Sequence, residues 1–306
     1  MRIVSLVPHA TELLFALGAD HEVVGVTHEC DFPSRAVDCP RVTRDRLPAG
    51  LSAAEIDAAV REHTQHGEAI YALDVETLRA LEPDLIVTQA LCPVCAVSFD
   101  DVRAVADALP SRPRLLALDP RTVQDTLADV ATVAAAIGRP GRGAALVAQA
   151  NARIDRVRRA VHAQRPRSVA ALEWLDPVYL AGHWTPQIIQ LAGGREATGV
   201  IRAGEPSQRS TWQTVARAHP EVLVVMPCGF DAPGALREAE THARELNMIG
   251  AQSTVAVDAS AYFSRPGPRL IDGLELLAHV LHPDQMPDAP GVALRLHTPS
   301  AAAALG

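Results

Sequence analysis

Short apolar runs alternate with amphipathic stretches along most of this chain. RIVSLV (2–7), EVVGVTH (22–28), LIVTQAL (85–91) and LLALD (115–119) have the length and β-branched content of buried strands. Between them, apolar residues recur at helical spacing from Thr11 (TELLFALG), Ser52 (SAAEIDAAVREH), Asp74 (DVETLRALE) and Phe99 (FDDVRAVADAL). Gly18 stands where a helix C-terminus needs a left-handed residue, and Asp74 stands at an N-cap. Residues 121–165 change character. TVQDTLADVATVAAAIG and AALVAQANARIDRVRRAVHAQ are both helical, with GRPGRG between them, and no strand follows until Val169. Alternation then resumes in SVAALEW, VYLAG, EVLVVMP and TVAVDAS, with helices near Thr185, Trp212 and Arg269. Repeated strand–helix units imply parallel sheets covered by helices on both faces.

The predicted fold is therefore α/β: two parallel-sheet lobes joined by a single long backbone helix, with a ligand cleft between the lobes. Residues 1–120 form the N-terminal lobe and 121–165 a helical linker containing the long helix. Residues 166–285 form the C-terminal lobe and 286–306 a tail. The length of 306 residues, 48% of them hydrophobic, independently favours two cores over one. A net charge of −8 and the absence of a basic stripe argue against a nucleic-acid partner. No apolar run reaches the ~18 residues that a transmembrane segment needs. MRIVSLVP leads directly into a strand and shows no signal-peptide pattern, which predicts a cytoplasmic protein, or a periplasmic one if the sequence is a trimmed mature form.

Candidate chemistry begins with cysteine. There are five, an odd number in a long chain, which does not read as a disulfide framework. Cys30, the CxxC pair Cys92 and Cys95, and Cys228 all follow predicted strands, where ligands bind in open α/β sheets. Thiolates there can hold zinc, copper or an iron–sulfur cluster, or act as a redox pair. The alternative is that each is a small buried apolar residue. Cys39 is not at a strand end and reads as structural.

The order of segments also resembles a known family. RIVSLVPHATELLFALGA, THECDFPSRAVDCPRV, LEPDLIVTQ, VYLAGHWTPQIIQLAGG, WQTVARAHPEVLVVMP and FSRPGPRLIDGLELLAHVLHP are similar, in sequence order, to the helical-backbone (class III) solute-binding proteins of ABC importers. The cobalamin and iron-chelate branch is the most similar. The resemblance implies a binding protein that closes two lobes on a corrinoid (cobalamin-like) or other metal-chelate ligand, with an ABC transporter permease as partner. It also implies that Cys228 approaches Cys30, Cys92 and Cys95 from the opposite lobe. Two features depart from that branch: only 4% of residues are aromatic, and cysteines stand where small or polar cleft residues belong.

Within that plan the ligand-binding candidates are His9, Trp174, His183, Trp184, Tyr262, Phe263 and Arg265. His9 lies in the first strand-to-helix turn. Trp174 follows a strand and can stack on a planar macrocycle, or pack between lobe and linker. His183 and Trp184 precede a helix capped by Thr185 with Pro186 at its first turn. Tyr262, Phe263 and Arg265 are aimed by a Pro-Gly-Pro loop, and Arg265 either holds an anionic ligand group or makes a structural salt bridge. The alternative functions are a metal-thiolate protein using Cys30, Cys92, Cys95 and Cys228, and a cysteine-dependent redox enzyme. No triad order, phosphate loop or HExxH motif supports hydrolysis or phosphoryl transfer, so a binding role is expected over an enzymatic one.

Overall fold

A computed structural model describes residues 1–48, 50–66, 69–90 and 97–296. The chain divides into two units: Met1–Asn151 with Pro266–Pro268, and Ala152–Arg265 with the chain from Arg269 onward.

The first unit opens with β1 (Ile3–Ser5), α1 (Pro8–Ala16) and β2 (Val23–Val26). β3 (Thr43–Asp45), α2 (Ala53–Gln65), β4 (Tyr71–Leu73), α3 (Val75–Ala80) and β5 (Leu85–Thr88) follow. α4 (Phe99–Ala108), β6 (Arg114–Ala117), α5 (Val123–Ala136) and the first half of the long α6 (Pro140–Val161) complete the series. The main sheet has order β2-β1-β5-β6 and is parallel throughout. Its interior strands are apolar because helices cover both faces: Ile3, Val4, Leu85, Ile86 and Val87 are all buried. Side chains of this size contribute roughly 1.5–3 kcal/mol each on full burial. β3 and β4 form a separate antiparallel ribbon that the sequence reading did not contain.

Local signals explain the helix ends. α1 starts at Pro8, whose fixed φ suits a first helical position, rather than at Thr11. It ends in a Schellman motif: Gly18 has φ 73°, its N–H donates to Phe15 O, and the Ala19 N–H donates to Leu14 O. Ser52 and Glu55 form a capping box on α2, and Asp74 caps α3 through the Thr77 N–H at 3.0 Å.

α5 and α6 differ most from expectation. Val130, Val133 and Ala134 of α5, with Ile137 just after it, lie in the first unit's core, so this helix is part of that unit and not a linker. The GRPGRG segment does not interrupt α6, which begins inside it at Pro140. Gly143 makes this possible, because a Cβ there would stand 2.4 Å from Ala134 Cβ. The missing side chain lets the first turn of α6 lie directly on α5.

The second unit contains β7 (Arg167–Leu175), β8 (Val178–Leu180), α7 (Thr185–Leu191), β9 (Gly194–Glu196) and β10 (Gln208–Arg209). α8 (Trp212–Arg217), β11 (Val222–Val225), α9 (Ala232–Thr241), α10 (Ala243–Ile249) and β12 (Ser253–Val257) follow, then α11 (Ala259–Tyr262), α12 (Leu270–Leu281) and β13 (Ala293–Arg295). The sheet order is β10-β8-β7-β11-β12-β13, with β9 also on β7. β7 is long enough to hold β9 at its start and β8 at its end on one edge. The segment read as a tail supplies β13, which pairs antiparallel with β12.

The second half of α6 is tied to α12 by charge. Arg153 donates to Glu275 at 2.9 and 2.6 Å and to Asp272 at 2.5 Å, and Arg156 also donates to Glu275. Burial alone pushes the Glu275 carboxyl up, but the two guanidinium groups hold it below its ordinary range.

Two stability predictions follow from this packing. Gly143→Ala should lower unfolding stability by about 1–3 kcal/mol through overpacking, despite alanine's better helix propensity. Gly141→Ala, with nothing within 4 Å of the new methyl, should instead be neutral or stabilising; urea midpoints of the two variants test the contrast. The second concerns Asp129 on α5, whose Oδ2 is buried and has no hydrogen-bond partner among the described residues. Burial, with help from the carboxylates of Asp119 and Asp125, raises its pKa to about 7. The folded protein therefore retains a proton that the unfolded chain releases near pH ~4. Stability should fall as pH rises from ~4 through about 7. Asp129→Asn should flatten that slope, raising the urea midpoint at pH ~8 while leaving it unchanged at pH ~4.

Candidate functional site

In each unit the polar and aromatic side chains gather where parallel strands end, as expected of open α/β sheets. In the first unit, the turn after β2 is the most elaborately held of these. Arg41 donates from one guanidinium nitrogen to the carbonyls of Thr27 (2.7 Å) and Cys30 (2.9 Å). Thr43 Oγ1 accepts the His28 backbone N–H at 3.1 Å and lies 2.7 Å from His28 Nδ1. Tyr71 donates to Glu29 Oε1 at 2.9 Å, and its ring lies 5.0 Å from the His28 ring, tilted by 59°. Thus β3 and β4 together grip one turn and hold His28 in a single orientation. Sequence reasoning noted His28 only as a neighbour of Cys30, and it missed Tyr71, Thr43 and Arg41. The apolar run IYAL before Asp74 was the available signal, but strands of three residues are too short to show a period.

His9 occupies the second position of α1 and is buried, so it does not cap that helix. The backbone of Gly267 passes close over it: a Cβ at Gly267 would meet His9 Cβ at 3.2 Å. At the end of β6, Asp119 accepts the Ala90 N–H at 2.6 Å and ties the β5 and β6 turns together.

In the second unit, Trp174 lies near the end of β7 and Phe230 just after β11. Their rings meet edge to face, with centroids 5.8 Å apart. The indole Nε1 of Trp174 is buried and has no hydrogen-bond partner among the described residues. Glu173, beside it, accepts from the Ser207 hydroxyl and is thus more than a solvated rim charge. His183 has a positive φ of 51°, unusual for a residue with a side chain. Two backbone bonds with the following loop hold it there: its N–H donates to Glu205 O at 2.6 Å, and the Gly204 N–H donates to its carbonyl at 2.9 Å. Trp184 stacks near His183 and donates from Nε1 to Phe263 O at 2.7 Å. The structure thereby brings His183, Trp184 and Phe263 together. Trp184, not Thr185, takes the N-cap position of α7 and offers no side-chain cap. Tyr262 packs against Gly291 in the chain before β13, and burial pushes its hydroxyl pKa up. Arg265 is half-buried in the loop before α12. Trp212 lies against His242, away from the strand ends, with centroids 5.9 Å apart.

The thiolate site does not find support. Cys30 is buried in the first unit's core, with Thr11 Oγ1 at 3.1 Å and Thr27 Oγ1 at 3.4 Å from its sulfur. The turn after β2 directs this side chain inward and His28 outward. Cys228, in the other unit, is exposed. Cys92 and Cys95 lie outside the described residues. Among the described residues, no group of three or more His, Cys, Asp or Glu side chains can hold a metal ion. Zinc, copper or iron–sulfur binding and thiol redox chemistry thus find no support among the described residues. Cys39 packs against the core, and burial raises its thiol pKa, in keeping with structural use.

Comparison with known proteins agrees with the fold. The vitamin B12-binding protein of Vibrio cholerae serotype O1 is 22% identical over 277 residues, covering 90% of this chain and 86% of the relative. A periplasmic heme-binding protein from Pseudomonas aeruginosa shares the fold, with a TM-score of 0.70 and 18% identity over 97% of this chain and 98% of its own. An ABC transporter substrate-binding protein from Listeria monocytogenes EGD-e does so with a TM-score of 0.68 and 15% identity, covering 92% and 98%. No helix among the described residues is long and apolar enough to cross a membrane. The periplasmic binding protein family matches residues 3–246, and the chain belongs to that family.

Proposed function

We propose that this protein binds a tetrapyrrole-type metal chelate, a corrinoid or a heme, in the periplasm and presents it to an ABC transporter permease. The metal arrives as part of the cargo. The relatives support the ligand class: one is named for vitamin B12 and one for heme. The observation that carries the reading is Trp174. In a chain with only three tryptophans, one stands at a strand end, edge-on to Phe230, with a buried indole N–H. A large flat ligand can stack on the apolar ring of that side chain. His183, Trp184, Phe263 and Arg265 extend the same reading within the second unit, and His9 does so in the first. Tyr262 is the weakest of the proposed contacts because Gly291 covers its ring.

Cyanocobalamin and hemin are the probes. Either should bind at micromolar concentration with a change in visible absorbance and quenching of tryptophan fluorescence. Trp174→Ala should weaken that binding by roughly 10–100-fold, as for a buried aromatic anchor. Trp174→Phe should recover part of the loss, and Trp212→Phe none of the effect. If neither chelate binds the wild-type protein, the ligand class is wrong.

A further inference from the structure

We propose that His28 is a ligand-binding residue that acts as a hydrogen-bond donor. Thr43 holds its imidazole in the Nε2–H tautomer, and its partner is an oxygen on the ligand's rim, a carboxylate or an amide carbonyl, rather than the chelated metal. The inference rests on the solute-binding reading above and adds a residue and a chemistry to it.

Hydrogen-bond accounting at Thr43 leads to this assignment. A threonine hydroxyl has one proton and two acceptor lone pairs. Thr43 is buried, at 6% exposure, and its Oγ1 touches two groups of His28, the backbone nitrogen at 3.1 Å and Nδ1 at 2.7 Å. The backbone N–H can only donate, so it occupies a lone pair. The hydroxyl proton then needs an acceptor, and His28 Nδ1 is the one that the described residues offer. Were Nδ1 protonated, two N–H groups would point at one oxygen, and the hydroxyl proton would be buried without a partner. That arrangement forfeits a hydrogen bond in a site closed to water. The neutral ring therefore keeps its lone pair on Nδ1, facing Thr43, and its proton on Nε2.

Metal-binding histidines show the opposite arrangement, in which the second-shell partner accepts the N–H of one nitrogen and the other is left with a lone pair for the metal. Here the outer nitrogen carries the proton. Nε2 has no hydrogen-bond partner among the described residues. The rest of the turn is rigid. The Tyr71 ring flanks the imidazole, Tyr71 holds Glu29, and Arg41 pins the carbonyls on either side of His28. A donor held by these contacts and placed after a parallel strand is preorganised to read an acceptor. Corrinoid amides and heme carboxylates both supply one.

Two measurements on the full chain test the assignment. A long-range proton–nitrogen correlation spectrum of isotope-labelled, ligand-free protein reads the tautomer directly, with His28→Gln identifying the signal. The Nε2–H pattern is expected in wild type and in Thr43→Ser, and a mixture of tautomers in Thr43→Val. An Nδ1–H pattern in wild type, or an unchanged pattern in Thr43→Val, overturns the proposal. In hemin and cyanocobalamin titrations, His28→Phe should weaken binding about 10-fold, and His28→Gln, which restores a donor, should recover most of it. The visible band positions of the bound chelate should be the same in all three proteins. A band shift on losing His28 would mean that the imidazole reaches the metal, and equal affinity in His28→Phe would mean that it touches no ligand; either result refutes the proposal. If neither probe binds wild type, the ligand class fails while the spectrum still decides the tautomer.

Discussion

Burial of parallel strands on both faces governs where this protein can place its chemistry. All four residues of β5 and all four of β11 are buried, with helices on either side. A charged or strongly polar side chain in such a strand would have no water and few partners, so the strand interiors are mostly Val, Ile, Leu and Ala, with small hydroxyl residues such as Ser5 and Thr88 the polar members. What varies is the turn that follows each strand. There the backbone leaves the sheet, side chains regain access to solvent, and polar groups can be arranged without disturbing the core. His28, Asp119 and Phe230 occupy such turns, and Trp174 lies at the last paired residues of β7.

Those turns would be loose without support from elements outside the main sheets. In the first unit the ribbon of β3 and β4 provides it. Thr43 and Tyr71 are far from His28 in sequence, yet they fix the imidazole through one hydroxyl and one ring face. In the second unit, the loop around Gly204 and Glu205 holds His183 in a left-handed conformation, and Ser207 from the same loop holds Glu173. Backbone strain of this kind, of order 1–3 kcal/mol, persists where surrounding structure over-determines it, commonly at binding sites.

The long helix is anchored differently in its two halves. Near its start, Arg142 donates to Leu17 O at 3.1 Å and Arg139 pairs with Glu22, while Gly143 permits close contact with α5. Further along, Arg153 and Arg156 converge on Glu275. Only Glu275 of this network is buried, so its charge depends on the guanidinium groups, of which Arg153 is the more enclosed and Arg156 lies exposed. The network therefore selects one register of α6 on α12.

Much of the architecture was legible in the chain itself. Apolar runs bounded by turn residues located β1, β2, β5, β6, β7, β8, β11 and β12; the signal is strongest for β5 and β11, because a doubly buried strand has almost no alternative composition. Gly18 and Asp74 marked helix ends, because their roles depend on neighbours a few residues away. Trp174, expected after a strand, is instead paired within β7, because the strand runs on past its parallel neighbour to form a hairpin with β8. Side-chain direction and long-range partners were not legible. Cys30 and His28 lie two residues apart after one strand, and sequence pattern cannot say that the thiol turns into the core while the imidazole is held by Thr43. The β3–β4 ribbon, the pairing of β13 and the seating of α6 on α5 were equally hidden, since each is decided by contacts between segments distant in sequence. Periodicity records which residues must be buried, whereas only the assembled fold determines which polar groups find one another and so which nitrogen of His28 carries the proton.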